Sequence, residues 1–108
     1  MELILNKYFE AGKIQEFGQP TVKFLAEKLH ITPHYLSDML KEHTGQTAQQ
    51  HIHNALIEQI KALLTMTNMS ISEIAYQLGF DYPQSLNKLF KKKTAVSPTS
   101  FRKSFNPN

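Results

Sequence analysis

Residues 22–45 are written again, in altered letters, at residues 71–95, and this repetition constrains the fold more than any total does. Val22, Leu25, Ala26, Leu29 and Ile31 recur as Ile71, Ile74, Ala75, Leu78 and Phe80 at an offset of 49. One residue is then inserted. Leu36, Met39, Leu40, Lys41, Thr44 and Gly45 recur as Leu86, Leu89, Phe90, Lys91, Thr94 and Ala95 at an offset of 50. Self-similarity on this scale means one supersecondary unit used twice. Within each copy the apolar residues fall at i, i+3, i+4 and i+7, the period of a helix with one buried stripe. The unit is therefore helix, tight corner, helix. Ala26 and Ala75 stand where the first helix of each pair meets the second, and a larger side chain would push the two apart. Gly79 suits the corner, because glycine takes a left-handed backbone without steric cost; the first copy has the bulkier His30 there.

Helix is the dominant period elsewhere too. Residues 2–13 place Leu5, Tyr8 and Phe9 on one face, and residues 15–20 break the pattern. Thr32 can cap the next helix, with Pro33 at its first position, where a missing N–H costs nothing, and Gly45 supplies a left-handed stop. Residues 47–67 form the longest pattern, opened by a Thr47-x-x-Gln50 capping box and striped by Ile52, Leu56, Ile60, Leu63 and Leu64. A second box, Ser70-x-x-Glu73, opens the repeat's second copy, and Pro83 and Ser97-Pro98 mark two further helix starts. The expectation is an all-α chain of about seven helices. A lead-in helix and a first helix-turn-helix subdomain fill residues 1–46, a linker helix residues 47–67, and a second subdomain residues 68–108. Tyr35, Tyr76, Phe80 and Phe90 fall on apolar stripes and are expected in the core. Only the last three residues look loose.

At 108 residues the chain is one domain or two small subdomains sharing a core. Cysteine is absent, which removes disulfides, thiolate nucleophiles and cysteine-ligated metal, and fits a reducing cytoplasm. Met1 is followed by an acidic amphipathic stretch, with no sign of a signal peptide, and no apolar run is long enough to span a bilayer. His51 and His53 point about 160° apart on a helix and cannot grip one ion together. No activated-nucleophile frame occurs, so neither an enzyme nor a metal or other cofactor is expected. Charge is uneven. Residues 1–54 hold five lysines against six acids, whereas residues 55–108 hold seven basic groups against three acids. Six of those seven, Lys88, Lys91, Lys92, Lys93, Arg102 and Lys103, lie in one stretch free of acids. A one-sided basic face suits a polyanion, nucleic acid before a membrane surface. Membrane association would need an exposed apolar face with aromatic anchors.

The stretches FLAEKLHITPHYLSDMLKEHTG, ISEIAYQLGFDYPQSLNKLFKKKT and VSPTSFR resemble the DNA-binding domain of the AraC/XylS family of bacterial transcription regulators. The resemblance runs from about Pro20 to Phe105. It departs at three places: Ala55 and Leu56 stand where an arginine is common, Ala95 replaces a usual glycine, and Leu86 replaces a frequent aromatic. It implies sequence-specific binding of double-stranded promoter DNA by two recognition helices in successive major grooves, with transcription activated through RNA polymerase. The first 20 residues resemble the lead-in before such domains, which favours a piece of a longer regulator with a ligand-sensing N-terminal domain.

Base contacts are expected at the exposed N-terminal positions of the two recognition helices. These are His34, Ser37 and Asp38 in the first, and Gln84, Ser85, Asn87 and Lys88 in the second. Gln84 can pair with adenine, Lys88 can donate to guanine O6 and N7, and Asp38 fits only by accepting from cytosine N4 or a neighbouring side chain. Phosphate contacts are expected from Lys41, Lys91, Lys92, Lys93, Arg102 and Lys103, with backbone N–H groups at helix starts. The competing expectation is a helical protein-interaction module whose lysines form a solvated face.

Overall fold

The structure, a computed structural model, describes residues 2–105, so the loose tail expected at residues 106–108 lies outside it. Every regular element among the described residues is α-helical: α1 (Glu2–Glu10), α2 (Lys13–Phe17), α3 (Val22–Lys28), α4 (Pro33–Thr44), α5 (Ala48–Met66), α6 (Ile71–Gln77), α7 (Pro83–Thr94) and α8 (Pro98–Phe105). The extra helix relative to expectation arises near the start. The Gly12 amide reaches back only three residues, to the Phe9 carbonyl, and Gly12 turns left-handed at φ +69°. That ends α1, and α2 restarts where a break was expected.

The chain divides into two units, Met1–Ala55 and Leu56–Asn108, with the boundary inside α5. In the first unit α1 packs on α2 and α3 on α4. Its core holds Leu5, Tyr8, Ile14, Leu25, Ala26, Leu36, Leu40, Ala48 and Ile52. Burying the Tyr8 ring against the edge of Phe24, with centroids 5.0 Å apart, leaves its hydroxyl needing a partner, and it donates to the Gly18 carbonyl at 2.6 Å. In the second unit α6 packs on α7 and α7 on α8. Leu56, Ile57, Ile60, Leu64, Ile74, Ala75, Leu78, Leu86 and Phe90 are buried, and Phe90 meets Phe101 edge to face at 5.4 Å. No polar or charged side chain is buried among the described residues. Each core is therefore held by apolar area, with roughly 1.5–3 kcal/mol of gross gain for each large aliphatic side chain fully removed from water.

The repeat holds at the level of single bonds. At the corner after α3, the Ile31 amide bonds the Ala26 carbonyl at 3.0 Å and the His30 amide bonds Glu27 at 3.2 Å. After α6, Phe80 bonds Ala75 at 2.9 Å and Gly79 bonds Tyr76 at 3.2 Å. Both are Schellman closures around a left-handed residue, with φ +59° at His30 and +78° at Gly79. The ends of α4 and α7 match as well. Gly45 (φ +78°) and Ala95 (φ +67°) return their amides to Lys41 and Lys91 at 2.9 and 2.8 Å. Thr44 and Thr94 bond the Leu40 and Phe90 carbonyls at 2.7 and 2.8 Å.

Tyr35 and Tyr76, expected in the core, are 59% and 61% exposed, and Phe80 is half-buried. The reason is angular. Tyr35 precedes the buried Leu36 and Tyr76 follows the buried Ala75, so each lies about 100° around its helix from a core position. Phe90 is buried as expected.

Candidate nucleic-acid interface

The local chemistry that starts α4 and α7 decides which side chains are on offer. Thr32 Oγ1 accepts the Tyr35 amide at 3.1 Å and Pro33 occupies the first turn, so α4 begins abruptly. At α7 Tyr82 takes the capping position without a side-chain bond; the Ser85 amide bonds the Tyr82 carbonyl at 3.0 Å, and Pro83 fixes the entry. Past each start the wheel is split. Leu36 and Leu40 face the core in α4, as Leu86 and Phe90 do in α7.

The opposite faces carry the polar residues. His34 and Asp38 on α4 are exposed and Ser37 is half-buried; Gln84, Ser85, Asn87 and Lys88 on α7 are all exposed. Each helix thus presents its own expected row on one side. His34 Nε2 lies 3.0 Å from Asp38 Oδ2, so the acid on α4 has a neighbour one turn away. Lys41, Lys91, Lys92 and Lys103 are exposed and Lys93 is half-exposed.

Arg102 behaves differently from the other expected phosphate ligands. Its Nε donates to the Leu64 carbonyl at 2.9 Å and a terminal nitrogen donates to Thr67 at 3.3 Å. Those carbonyls lie in the last turn of α5 and just after it, where helix geometry leaves carbonyls without an i+4 amide. Two of the guanidinium's donors are thus held inside its own unit, which sets Arg102 apart from the exposed lysines. The repeat contained a hint. Carried past residue 95 at the same offset of 50, it pairs Ser97 with Thr47, Pro98 with Ala48 and Arg102 with Ile52, a buried position. Ser97 and Thr47 both act as caps, accepting the Ser100 and Gln50 amides at 3.1 and 3.2 Å.

Two exposed tyrosines add to the site. Tyr35 sits beside His34, and Tyr82, 65% exposed, stands at the mouth of α7. Phenolic hydroxyls in such places suit phosphate oxygens. His51 and His53 are each engaged on their own side, with ring nitrogens 2.9 Å from Thr44 Oγ1 and Gln49 Nε2. No cluster of metal-ligating side chains occurs among the described residues, and no helix among them is long and apolar enough to cross a membrane.

Comparison with known proteins agrees with this geometry. The family described as a helix-turn-helix domain matches residues 25–104. An uncharacterized HTH-type transcriptional regulator of Bacillus subtilis, YobQ, is 33% identical over 86 residues, covering 80% of this chain and 36% of its own length. The transcriptional activator RhaS of Salmonella arizonae is 31% identical over 78 residues, covering 72% of this chain and 28% of RhaS. The chain thus spans between about a tenth and about a third of the length of the curated relatives it matches. Among solved structures, the C-terminal domain of the two-component response regulator yesN from Fusobacterium nucleatum superposes with a TM-score of 0.75 at 34% identity, covering 94% of this chain and 95% of that one. With twin helix-turn-helix pairs, their split faces and these relatives in agreement, the chain belongs to the AraC-type helix-turn-helix family of DNA-binding transcription regulators.

Proposed function

We propose that α4 and α7 are recognition helices that each enter a major groove of promoter DNA, reading two successive groove segments. The observation that carries this is the duplicated helix-turn-helix with an exposed polar row on the N-terminal half of each second helix. The 19 residues of α5 give a continuous rod of about 28 Å, a length commensurate with the roughly 34 Å recurrence of the groove. His34, Ser37 and Asp38, with Gln84, Ser85, Asn87 and Lys88, read base edges. Lys41, Lys91, Lys92, Lys93 and Lys103 hold phosphates, assisted by Tyr35 and Tyr82.

The domain divisions follow the same logic: residues 1–46 and 68–108 each carry one reading helix, and residues 47–67 join them. The relative named as an activator supports activation, with RNA polymerase as the partner that activation requires and the cytoplasm as its place. Because the match takes up only 36% of YobQ and 28% of RhaS, a separate sensing segment belongs to this reading. Fluorescence anisotropy with random duplex at low and moderate salt, followed by footprinting on a selected site, tests it. Salt-sensitive binding and two protected segments about one helical turn apart are expected. Absence of binding at low salt sinks the proposal in favour of a protein-interaction module.

A further inference from the structure

The two reading helices have the same backbone frame and opposite charge. Both open with proline in the first turn, both run for 12 residues and both close on a left-handed residue. At the offset of 50, Asp38 stands where Lys88 stands, Glu42 where Lys92 stands and His43 where Lys93 stands; only Lys41 and Lys91 agree. A carboxylate in a groove flanked by phosphates is repelled unless a donor on a base meets it. Asp38 is 68% exposed, and one of its oxygens, Oδ2, is met by His34 Nε2 at 3.0 Å. That contact engages one carboxylate oxygen, and a carboxylate has a second oxygen able to accept.

We propose that Asp38, oriented by His34, makes the first unit demand cytosine at one position of its half-site, while Lys88 at the matching position of the second unit asks for guanine. This rests on the DNA-binding reading above. The chemistry of the base edges selects among the four. Cytosine offers its N4 amino group with only C5–H on one side; adenine offers N6 beside the N7 lone pair; guanine and thymine present acceptors that repel a carboxylate. Asp38 is the specificity residue at this position, and His34, itself on the reading face, also positions it.

Selection of binding sites from a randomised duplex library, run on the wild type and four variants, tests this. Wild type should enrich cytosine at one position, and Asp38→Ala should lose that preference by about five-fold, the low end for a direct base contact. The same variant should bind unselected duplex more tightly, because a negative charge has left the interface. Asp38→Lys should turn the preference to guanine. His34→Gln, which keeps a donor near Oδ2, should retain the cytosine preference that His34→Ala blurs. Thermal melts of all variants should match wild type, since both side chains are exposed. If Asp38→Ala and wild type select the same sequences, the proposal is overturned while DNA binding stands. If the wild type binds no duplex, the DNA-binding reading falls first and takes this with it.

Discussion

Ala95 ends α7 at φ +67°, a conformation that crowds Cβ against the next carbonyl at a cost of about 1–2 kcal/mol. Its counterpart Gly45 holds the same conformation without that cost, and nothing lies within 4 Å of where its Cβ would be. The corner residues reverse the choice, with His30 in the first copy and Gly79 in the second. Ala95→Gly should therefore stabilise the protein by about 0.5–1 kcal/mol, the relief less the extra freedom glycine adds to the unfolded chain. Urea denaturation at constant slope checks it, and Gly79→Ala should move the midpoint the other way. Glu73 gives a pH counterpart. The Ser70 amide, bonding its carboxylate at 2.9 Å, and then the Ser70 hydroxyl hold it below the usual carboxylate range. A depressed value in the folded state means stability present above the ordinary glutamate value and lost as pH falls through the folded one. Glu73→Gln, which keeps an acceptor but cannot titrate, should flatten the dependence of the urea midpoint on pH between about 6 and 3. The capping boxes and the glycine stops could be read from the letters because their bonds run between near neighbours. His30 and Ala95 in left-handed backbone could be found only by aligning the copies, since neither residue prefers that conformation.

At the scale of elements, α8 adds to the closing of α5 what the local Thr67, bonded to the Leu63 carbonyl, does not reach. Arg102, 38 residues away from Leu64 in sequence, supplies donors to carbonyls at the end of α5. Hydrogen bonds from a charged group are worth about 1.5–3 kcal/mol when part-buried. Arg102→Met should lower stability within that range, and Arg102→Lys should recover little, because a point charge cannot reach two carbonyls as a planar fork can. Differential scanning calorimetry reads both. The element pattern itself was largely written in the period of the apolar residues. Leu25, Ala26, Leu36 and Leu40 are buried, and so are Ile74, Ala75, Leu86 and Phe90 in the second copy. The division of α1 from α2 was not, because its cause is one glycine leaving the helix at φ +69° within an otherwise helical sequence. Arg102 escaped for a different reason. Neighbouring lysines made it look like part of a basic face, and its partners are distant in the chain.

Over the molecule as a whole, charge rather than shape separates what the two units contribute. The second unit carries Lys88, Lys91, Lys92, Lys93 and Lys103, while the first carries an acid at two of the three corresponding positions where the copies differ in charge on α4. The basic stretch was legible because charge needs no fold to be counted, yet its membership was not, since only the folded unit shows which cation is already bonded. With two donors of Arg102 held by backbone carbonyls, the exposed or half-exposed Lys41, Lys91, Lys92, Lys93 and Lys103 are the cations expected to displace counterions in the DNA-binding reading. Each phosphate neutralised contributes about 0.9 to the dependence of log affinity on log salt, so the slope should be about −4.5. Lys92→Ala should make it shallower by about 1 and weaken all sequences alike. Arg102→Met should leave the slope where it was while lowering the melting temperature. A slope that becomes shallower by the same amount for Arg102→Met as for Lys92→Ala would instead place the arginine's remaining donors on phosphate.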